Sequence, residues 1–167
     1  MDSLKNKVAI ITGGAGGIGI ATAKLFLAEG AKVMIVGRTE EKLKNAIIEL
    51  KSTDATYCVA DVSEEDDTKK YVELTRATFG SIDIFFSNAG IEGVVKPIAE
   101  YPIEAFDKVI AINLKGVWLG CQHVIPKMTD GGSVMFTSSG AGLKGFESLG
   151  AYVAGKHGVI GLMRGAA

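Results

Sequence analysis

Tyr152 and Lys156 stand four residues apart, a spacing that sets both side chains on one face of a helix. A free phenol has a pKa near ~10 and is a poor base at neutral pH. An ammonium one turn away favours the phenolate and lowers that value. Such a pair can take a proton from a hydroxyl or return one to a carbonyl oxygen. A Tyr–Lys pair on a solvated helix face is the bland alternative, and the pair alone does not decide between them. Ser139 precedes Tyr152 by 13 residues and offers a hydroxyl that could hold a reacting oxygen near the phenol. Asn113 interrupts an apolar helical pattern at Ile112-Asn113-Leu114. Asn is a mediocre helix former, so an interior one asks for a reason.

A second chemistry is written in Thr12-Gly13-Gly14-Ala15-Gly16-Gly17-Ile18-Gly19. Glycine lets the backbone turn sharply and approach a ligand without a Cβ in the way. A helix starting there presents amide groups and its positive dipole end to an anion such as a pyrophosphate. A tight turn without ligand and an S-adenosylmethionine loop are the alternatives for this segment taken alone. Its glycines read as G-x-G-x-x-G (Gly14, Gly16, Gly19) or as T-G-x-x-x-G-x-G (Thr12, Gly13, Gly17, Gly19).

The elements that must position these groups follow from hydrophobic patterning. Apolar runs at 8–11, 32–36, 56–60, 82–86 and 133–137 read as strands. Helical patterns cover 18–29 (stopped by Gly30), 40–50 (capped by Thr39), a stretch opened by Ser63 and running to about Phe79, 102 to about 124, and about 151 to the end. The strands are apolar throughout, as strands covered on both faces must be. The expectation is an α/β, doubly wound parallel sheet of the Rossmann type, with strands 1–5 in the order 3-2-1-4-5 and the ligand crevice at their carboxyl ends. One domain, 1–167, is the simplest organisation.

Where strand 2 ends, an NAD-type site wants a carboxylate for the ribose 2′-hydroxyl. Gly37 and Arg38 stand there instead. A guanidinium pairs with a 2′-phosphate and stacks on adenine, so Arg38 favours NADP, with NAD as the alternative. The glycine loop carries no Lys or Arg, which weighs against NADP, and Arg38 also reads as a solvated loop charge.

In this order, the glycine loop, Asn88-Ala89-Gly90, Asn113, Ser139, Tyr152 and Lys156 resemble the short-chain dehydrogenase/reductase family, from Lys7 to the end of the chain. The resemblance implies an oxidoreductase moving a hydride between NAD(P)(H) and a secondary alcohol or ketone. It implies a catalytic tetrad of Asn113, Ser139, Tyr152 and Lys156, Asn113 bending its helix and supporting a water chain to the lysine, and Tyr152 as general acid/base. Ser138 lies beside Ser139, and the spacing to Tyr152 prefers Ser139. The same resemblance assigns Thr12, Gly13, Gly17, Ile18, Gly19, Arg38, Asp61, Val62, Asn88, Ala89, Gly90, Tyr152 and Lys156 to the cofactor. Asp61 and Val62 would meet the adenine edge, and Asn88-Ala89-Gly90 would shape the groove floor. Gly155 departs from the family, which usually has Ser before the Lys. Family members run further, with strands 6 and 7 and a substrate lid, so a chain incomplete at its C-terminus, with little turnover by itself, is expected. A homo-oligomer (dimer or tetramer) through the 102–124 and final helices is also implied.

The remaining composition narrows the field. Net charge is −1 with no run of Lys or Arg, so no nucleic-acid partner is expected. No apolar run approaches the ~20 residues that cross a membrane. Cys58 and Cys121 lie far apart in apolar stretches and outside metal-ligand spacing, which reads as two buried thiols, a cytoplasmic setting and no metal. His123 and His157 are not placed as catalytic bases. A non-catalytic protein of the same fold, a methyltransferase and a nucleotide-sugar epimerase or dehydratase are the rival functions. Residues 91–95 and 143–149, a mix of glycine, apolar and a few acidic residues, are the expected substrate lining.

Overall fold

The computed structural model describes residues 3–167. Five parallel strands form one sheet in the order β3-β2-β1-β4-β5: β1 (Val8–Thr12), β2 (Lys32–Gly37), β3 (Ala55–Val59), β4 (Ile84–Ser87) and β5 (Ser133–Phe136). The expected order is the observed one. The helices between them are α1 (Gly17–Ala28), α2 (Glu40–Leu50), α3 (Glu65–Phe79), α4 (Ile103–Ile110), α5 (Gly116–Val124) and α6 (Gly150–Ala166).

Alternation along the strands splits the core into two layers. Ile10, Met34, Val36, Cys58 and Phe85 point to one face and pack with Tyr71 and Val72 of α3 and Val124 of α5. Ala9, Ile11, Val33 and Ile35 point to the other and pack with Ala23 of α1 and Leu43, Ala46 and Leu50 of α2. Successive strand side chains face opposite sides, so Val8 to Ile11 of β1 are all apolar where both faces are covered, and only Thr12, at the carboxyl end, is polar. All five of its residues are buried. Burying each Val, Ile or Phe side chain is worth about 1.5–3 kcal/mol. Gly120 brings α5 onto the sheet: a Cβ there would come within 2.6 Å of Phe85 Cζ.

The order reverses between β1 and β4. β1 leads through α1 to β2 on one side, while α3 carries the chain across to β4 on the other. Such a switch point leaves a crevice outside the carboxyl ends of the two strands. Thr12 and Asn88 sit at those ends.

Four details differ from the sequence reading. The long helix is not uniform: α4 passes into a π-helical turn at Ala111–Lys115 before α5. A π-turn inserts a wider loop of backbone into an α-helix and re-aims its side chains. Ser63 does not cap α3; its N–H and hydroxyl both donate to Asp61 Oδ1, and the helix begins at Glu65. Thr39 occupies the cap position of α2 but makes no side-chain cap bond. Both cysteines are free; Cys58 is buried but Cys121 only half-buried, and burial pushes both thiols up from their ordinary value. Among the described residues, no group of three His, Cys, Asp or Glu is set to hold a metal, and no helix is long and apolar enough to cross a membrane.

Candidate active site

The turn after β1 is held by side chain to backbone bonds across the switch point. Thr12 Oγ1 accepts from the N–H groups of Asn88 (3.0 Å) and Ala89 (3.1 Å). Asn88 Nδ2 donates to the Thr12 carbonyl at 3.1 Å, and its Oδ1 accepts from Thr137 Oγ1 at 2.9 Å. Three strand ends, β1, β4 and β5, are thus tied into one rim.

The glycines of the loop have separate jobs. Gly13 has φ +64°, and its Cβ position lies 3.0 Å from Ala89 Cα. Gly14 abuts Ile35, where a Cβ would come within 2.5 Å of the Ile35 Cβ. A Cβ on Gly19 would collide with the Gly13 carbonyl oxygen. At Gly17 a Cβ would meet nothing within 4 Å. Gly16 precedes α1 without a side-chain cap, and the first helical bond runs from Ile20 N–H to Gly16 C=O. The amides of Gly17, Ile18 and Gly19 therefore have no partner within the helix. Open space at Gly17 and three unpartnered amides make a cradle fitted to a phosphate group.

Beyond this cradle opens a cleft of about 570 Å³ lined by Gly13, Gly16, Gly17 and Ile18, by residues 88–92, and by Thr137, Tyr152 and Lys156. Tyr152 and Lys156 thus share the cleft with the glycine loop and Asn88-Ala89-Gly90. Lys156 is buried, 4% exposed, and its Nζ donates to the Thr137 carbonyl at 2.7 Å. Burial pushes the Lys156 ammonium below its ordinary value. Its Nζ lies 5.6 Å from the centre of the Tyr152 ring.

Asn113 is fully buried within the π-turn. Its Oδ1 accepts from Ile91 N–H at 2.8 Å and its Nδ2 donates to Ile91 C=O at 2.7 Å. Gly90 leaves room for both neighbours: a Cβ there would be 3.3 Å from Asn113 Oδ1 and 3.4 Å from Lys156 Nζ. Gly155 allows α6 to close on the π-turn, its Cβ position 3.2 Å from Asn113 Cβ. The departure from Ser at this position is thus a close helix contact.

Ser139 follows β5 in extended conformation and its Oγ accepts from Ala141 N–H at 3.1 Å, capping a short turn at Gly140–Gly142. It is not among the residues lining the cleft. Ser138 is committed elsewhere, donating to the Lys156 carbonyl at 3.2 Å.

Arg38 and Asp61 face each other at the ends of β2 and β3. Arg38 Nη1 stands 3.6 Å from Asp61 Oδ2. Burial raises the Asp61 carboxyl, but bonds from Ser63 and the Arg38 charge outweigh it and hold the group below its ordinary value. Both residues, with Val62, Gly90, Ile91 and Ile112, line a smaller cavity of about 140 Å³. Arg38 also borders a cavity of about 210 Å³ with Gly16, Thr39 and Lys42. His157 Nδ1 lies 2.9 Å from the Val153 carbonyl, and His123 Nε2 lies 3.2 Å from Glu65 Oε1, both outside the cleft lining.

One contributor escaped the sequence reading, and one expected lining residue has a partner the sequence did not show. Thr137 supplies the carbonyl that holds Lys156, and a backbone oxygen leaves no mark in residue identity. Ile91 is gripped by Asn113, 22 residues away in sequence.

This doubly wound parallel sheet, with a glycine turn after its first strand and a buried lysine beside a tyrosine, is a Rossmann-type α/β domain. The short chain dehydrogenase family profile matches residues 7–167, and the chain belongs to that family. It is 44% identical over 168 residues to levodione reductase of Leifsonia aquatica, covering 97% of this chain and 63% of that protein. It is 40% identical over 165 residues to secoisolariciresinol dehydrogenase of Forsythia intermedia, covering 96% of this chain and 59% of that one. Among solved structures, a crystal structure of levodione reductase superposes with a TM-score of 0.92 at 42% identity, over 98% of this chain and 66% of that one. NAD+-bound xylitol dehydrogenase superposes with a TM-score of 0.96 at 32% identity, over 99% of this chain and 65% of that one. The chain thus spans somewhat less than two thirds of the length of these relatives.

Proposed function

We propose that this single domain serves an oxidoreductase that interconverts a secondary alcohol and a ketone with a nicotinamide cofactor, NADP in preference to NAD. The observation that carries the reading is Lys156, buried in the cleft of the glycine loop and beside the Tyr152 ring. Thr12, Gly13, Gly17, Ile18, Gly19, Asp61, Val62, Asn88, Ala89 and Gly90 would hold the dinucleotide, with the amides of 17–19 on its pyrophosphate. Arg38 would meet the 2′-phosphate, giving up its Asp61 partner to do so. When bound, the nicotinamide supplies the hydride chemistry.

The proton chemistry belongs to the chain. Tyr152 lines the same cleft as Lys156, whose Nζ lies 5.6 Å from the Tyr152 ring centre. Tyr152 Oη takes the proton of a substrate hydroxyl, or returns it to a carbonyl oxygen. The bond to Thr137 fixes the Lys156 ammonium. Ser139 would bond the reacting oxygen, exchanging its contact with Ala141 for one with substrate. Asn113 acts through Ile91, fixing the backbone that borders the cleft.

The substrate on this reading is a small or medium apolar alcohol or ketone; the relatives' names, levodione reductase, secoisolariciresinol dehydrogenase and the cyclohexanol dehydrogenase of an Acinetobacter strain (36% identical over 170 residues), support an alcohol or carbonyl. Exposed Val94, Val95, Leu143 and Phe146 in the expected lining segments fit such a substrate. Half-exposed Trp118, with Cys121, Gly161 and Leu162 around a shallow cavity of about 160 Å³, supports a homo-oligomer through α5 and α6. The domain architecture and composition suit the cytoplasm.

The test is Tyr152→Phe. Calorimetric titration should find NADPH bound by both forms, while cofactor-coupled oxidation falls ~100-fold or more in the variant, the usual size of a general acid/base contribution. Turnover that Tyr152→Phe leaves unchanged would overturn the reading.

A further inference from the structure

α6 carries both Tyr152 and Lys156, and among the described residues two hydrogen bonds join it to the rest of the chain. Both end on Lys156, and both come from consecutive residues just after β5. The Thr137 carbonyl accepts from Lys156 Nζ at 2.7 Å. Ser138 Oγ donates to the Lys156 carbonyl at 3.2 Å. One residue thus holds the head of Lys156 and the next holds its backbone. Elsewhere α6 meets the π-turn through small residues: Gly155 faces Asn113 Cβ, and a Cβ on Gly158 would come within 2.6 Å of Leu114 Cδ1. Packed helices can slide past one another by small amounts. A hydrogen bond to one carbonyl fixes the setting that packing leaves loose.

The Ser138 bond has a built environment. A carbonyl inside a helix accepts from the N–H four residues on, and its second lone pair is open to a further donor. Ser138 reaches that lone pair because Gly142 carries no side chain. A Cβ there would collide with Ser138 Oγ and come within 2.7 Å of the Lys156 carbonyl oxygen. The short turn at Gly140–Gly142 brings Gly142 to this place, closed by Gly142 N–H donating to the Ser139 carbonyl at 2.9 Å. Ser138 is not among the residues lining the cleft, so its hydroxyl serves α6 rather than a ligand there.

We propose that Ser138 is a positioning residue for Lys156: its bond to the Lys156 carbonyl sets α6 against the end of β5, and with it the Lys156 ammonium and the Tyr152 phenol in the cleft. Ser138 touches no reacting atom and acts through Lys156. The consequence for turnover rests on the oxidoreductase reading; the hold on Lys156 does not.

The experiment uses the full chain and three variants. Ser138→Ala deletes the donor, Ser138→Cys nearly keeps the size but donates weakly, and Ser138→Thr keeps the hydroxyl. Ser138→Cys carries the test if Ser138→Ala does not fold. Trace acetylation with acetic anhydride, resolved by peptide mass, reads the reactivity of each lysine amine without turnover. Lys156 acetylation should rise about fivefold in Ser138→Ala and Ser138→Cys, the scale of one neutral hydrogen bond. The exposed Lys24 and Lys44 should react as in the unmodified chain, and Ser138→Thr should restore the protection of Lys156. With NADPH and cyclohexanone, kcat should fall about tenfold in the two loss variants, because a misplacement of about 1 Å can cost on the order of 100-fold. KM for the ketone should stay unchanged, the split expected when only the transition state is affected. Unchanged Lys156 acetylation in the loss variants overturns the inference. So does an equal rise in Gly158→Ala, which presses α6 on Leu114 and leaves the Ser138 donor in place. Failure of the unmodified chain to bind any nicotinamide cofactor in calorimetry overturns the oxidoreductase reading, while acetylation still decides the hold on Lys156.

Discussion

Asn113 holds Ile91 by both ends of one peptide residue, accepting from its N–H at 2.8 Å and donating to its C=O at 2.7 Å. Its carboxamide carries an acceptor and a donor on one carbon, which an ionised Asp of the same size does not. Asn113→Asp puts a carboxylate against the Ile91 carbonyl and should cost more than Asn113→Ala. Leaving buried groups of this kind unpaired costs about 1–3 kcal/mol each. The expected outcome is a Tm lowered in both variants, further in Asn113→Asp, and faster amide exchange at residues 91–94 than at β4. Unchanged exchange there would remove the clamp from the mechanism.

The loop glycines separate folding from binding. Gly14→Ala and Gly19→Ala force a Cβ into Ile35 and into the Gly13 carbonyl oxygen. Overpacking of this kind costs about 1–3 kcal/mol. Gly17→Ala meets no protein atom. Thermal denaturation should show Gly17→Ala within a degree or two of the unmodified chain, with the other two clearly lower. Calorimetric NADPH affinity should fall in Gly17→Ala all the same, because the Cβ occupies the phosphate cradle.

Arg38 and Asp61 form a half-exposed pair, 49% and 30% exposed at their side chains. Such pairs contribute about 0–1 kcal/mol. Arg38→Ala should therefore leave Tm nearly unchanged. On the NADP reading it should weaken NADPH binding tenfold or more and leave NADH binding within about threefold, since charge-assisted bonds contribute ~1.5–3 kcal/mol. Equal affinity of the unmodified chain for the two cofactors would refute the preference.

Asp83 gives the fold an acid limit. It is buried at the start of β4, and burial alone would raise its carboxyl. Bonds from Val8 N–H (3.0 Å), Thr129 Oγ1 (2.9 Å) and Lys7 Nζ (3.1 Å) outweigh that and hold it below its ordinary value. A depressed folded value means the stabilisation is fully present above the unfolded pKa of about 3.9 and is lost as pH falls through the folded one. Denaturant midpoints of the unmodified chain should drop through this acid window. Asp83→Ala should lower the midpoint at pH 7 and flatten the acid limb.

Much of the scaffold is local and so was legible. Apolar runs at strand length, a glycine turn between the first strand and helix, and Tyr152 one helical turn before Lys156 are patterns fixed by separation along the chain. Right-handed connections limited the sheet to doubly wound orders, and the order 3-2-1-4-5 among them came with the family resemblance. Element ends were less legible: Ser63 looked like a helix cap, yet its hydroxyl found Asp61 two residues away.

What the tertiary structure alone decided are the contacts between elements distant in sequence. Burial of Lys156 against the Thr137 carbonyl, Asn113 reaching back 22 residues to Ile91, and the filled or open space behind each glycine depend on how α6, the π-turn and the loops close on the sheet. Periodicity records which face of an element is apolar. It does not record which backbone oxygen another element will bring within 3 Å, because that distance is set by packing volume rather than by residue type.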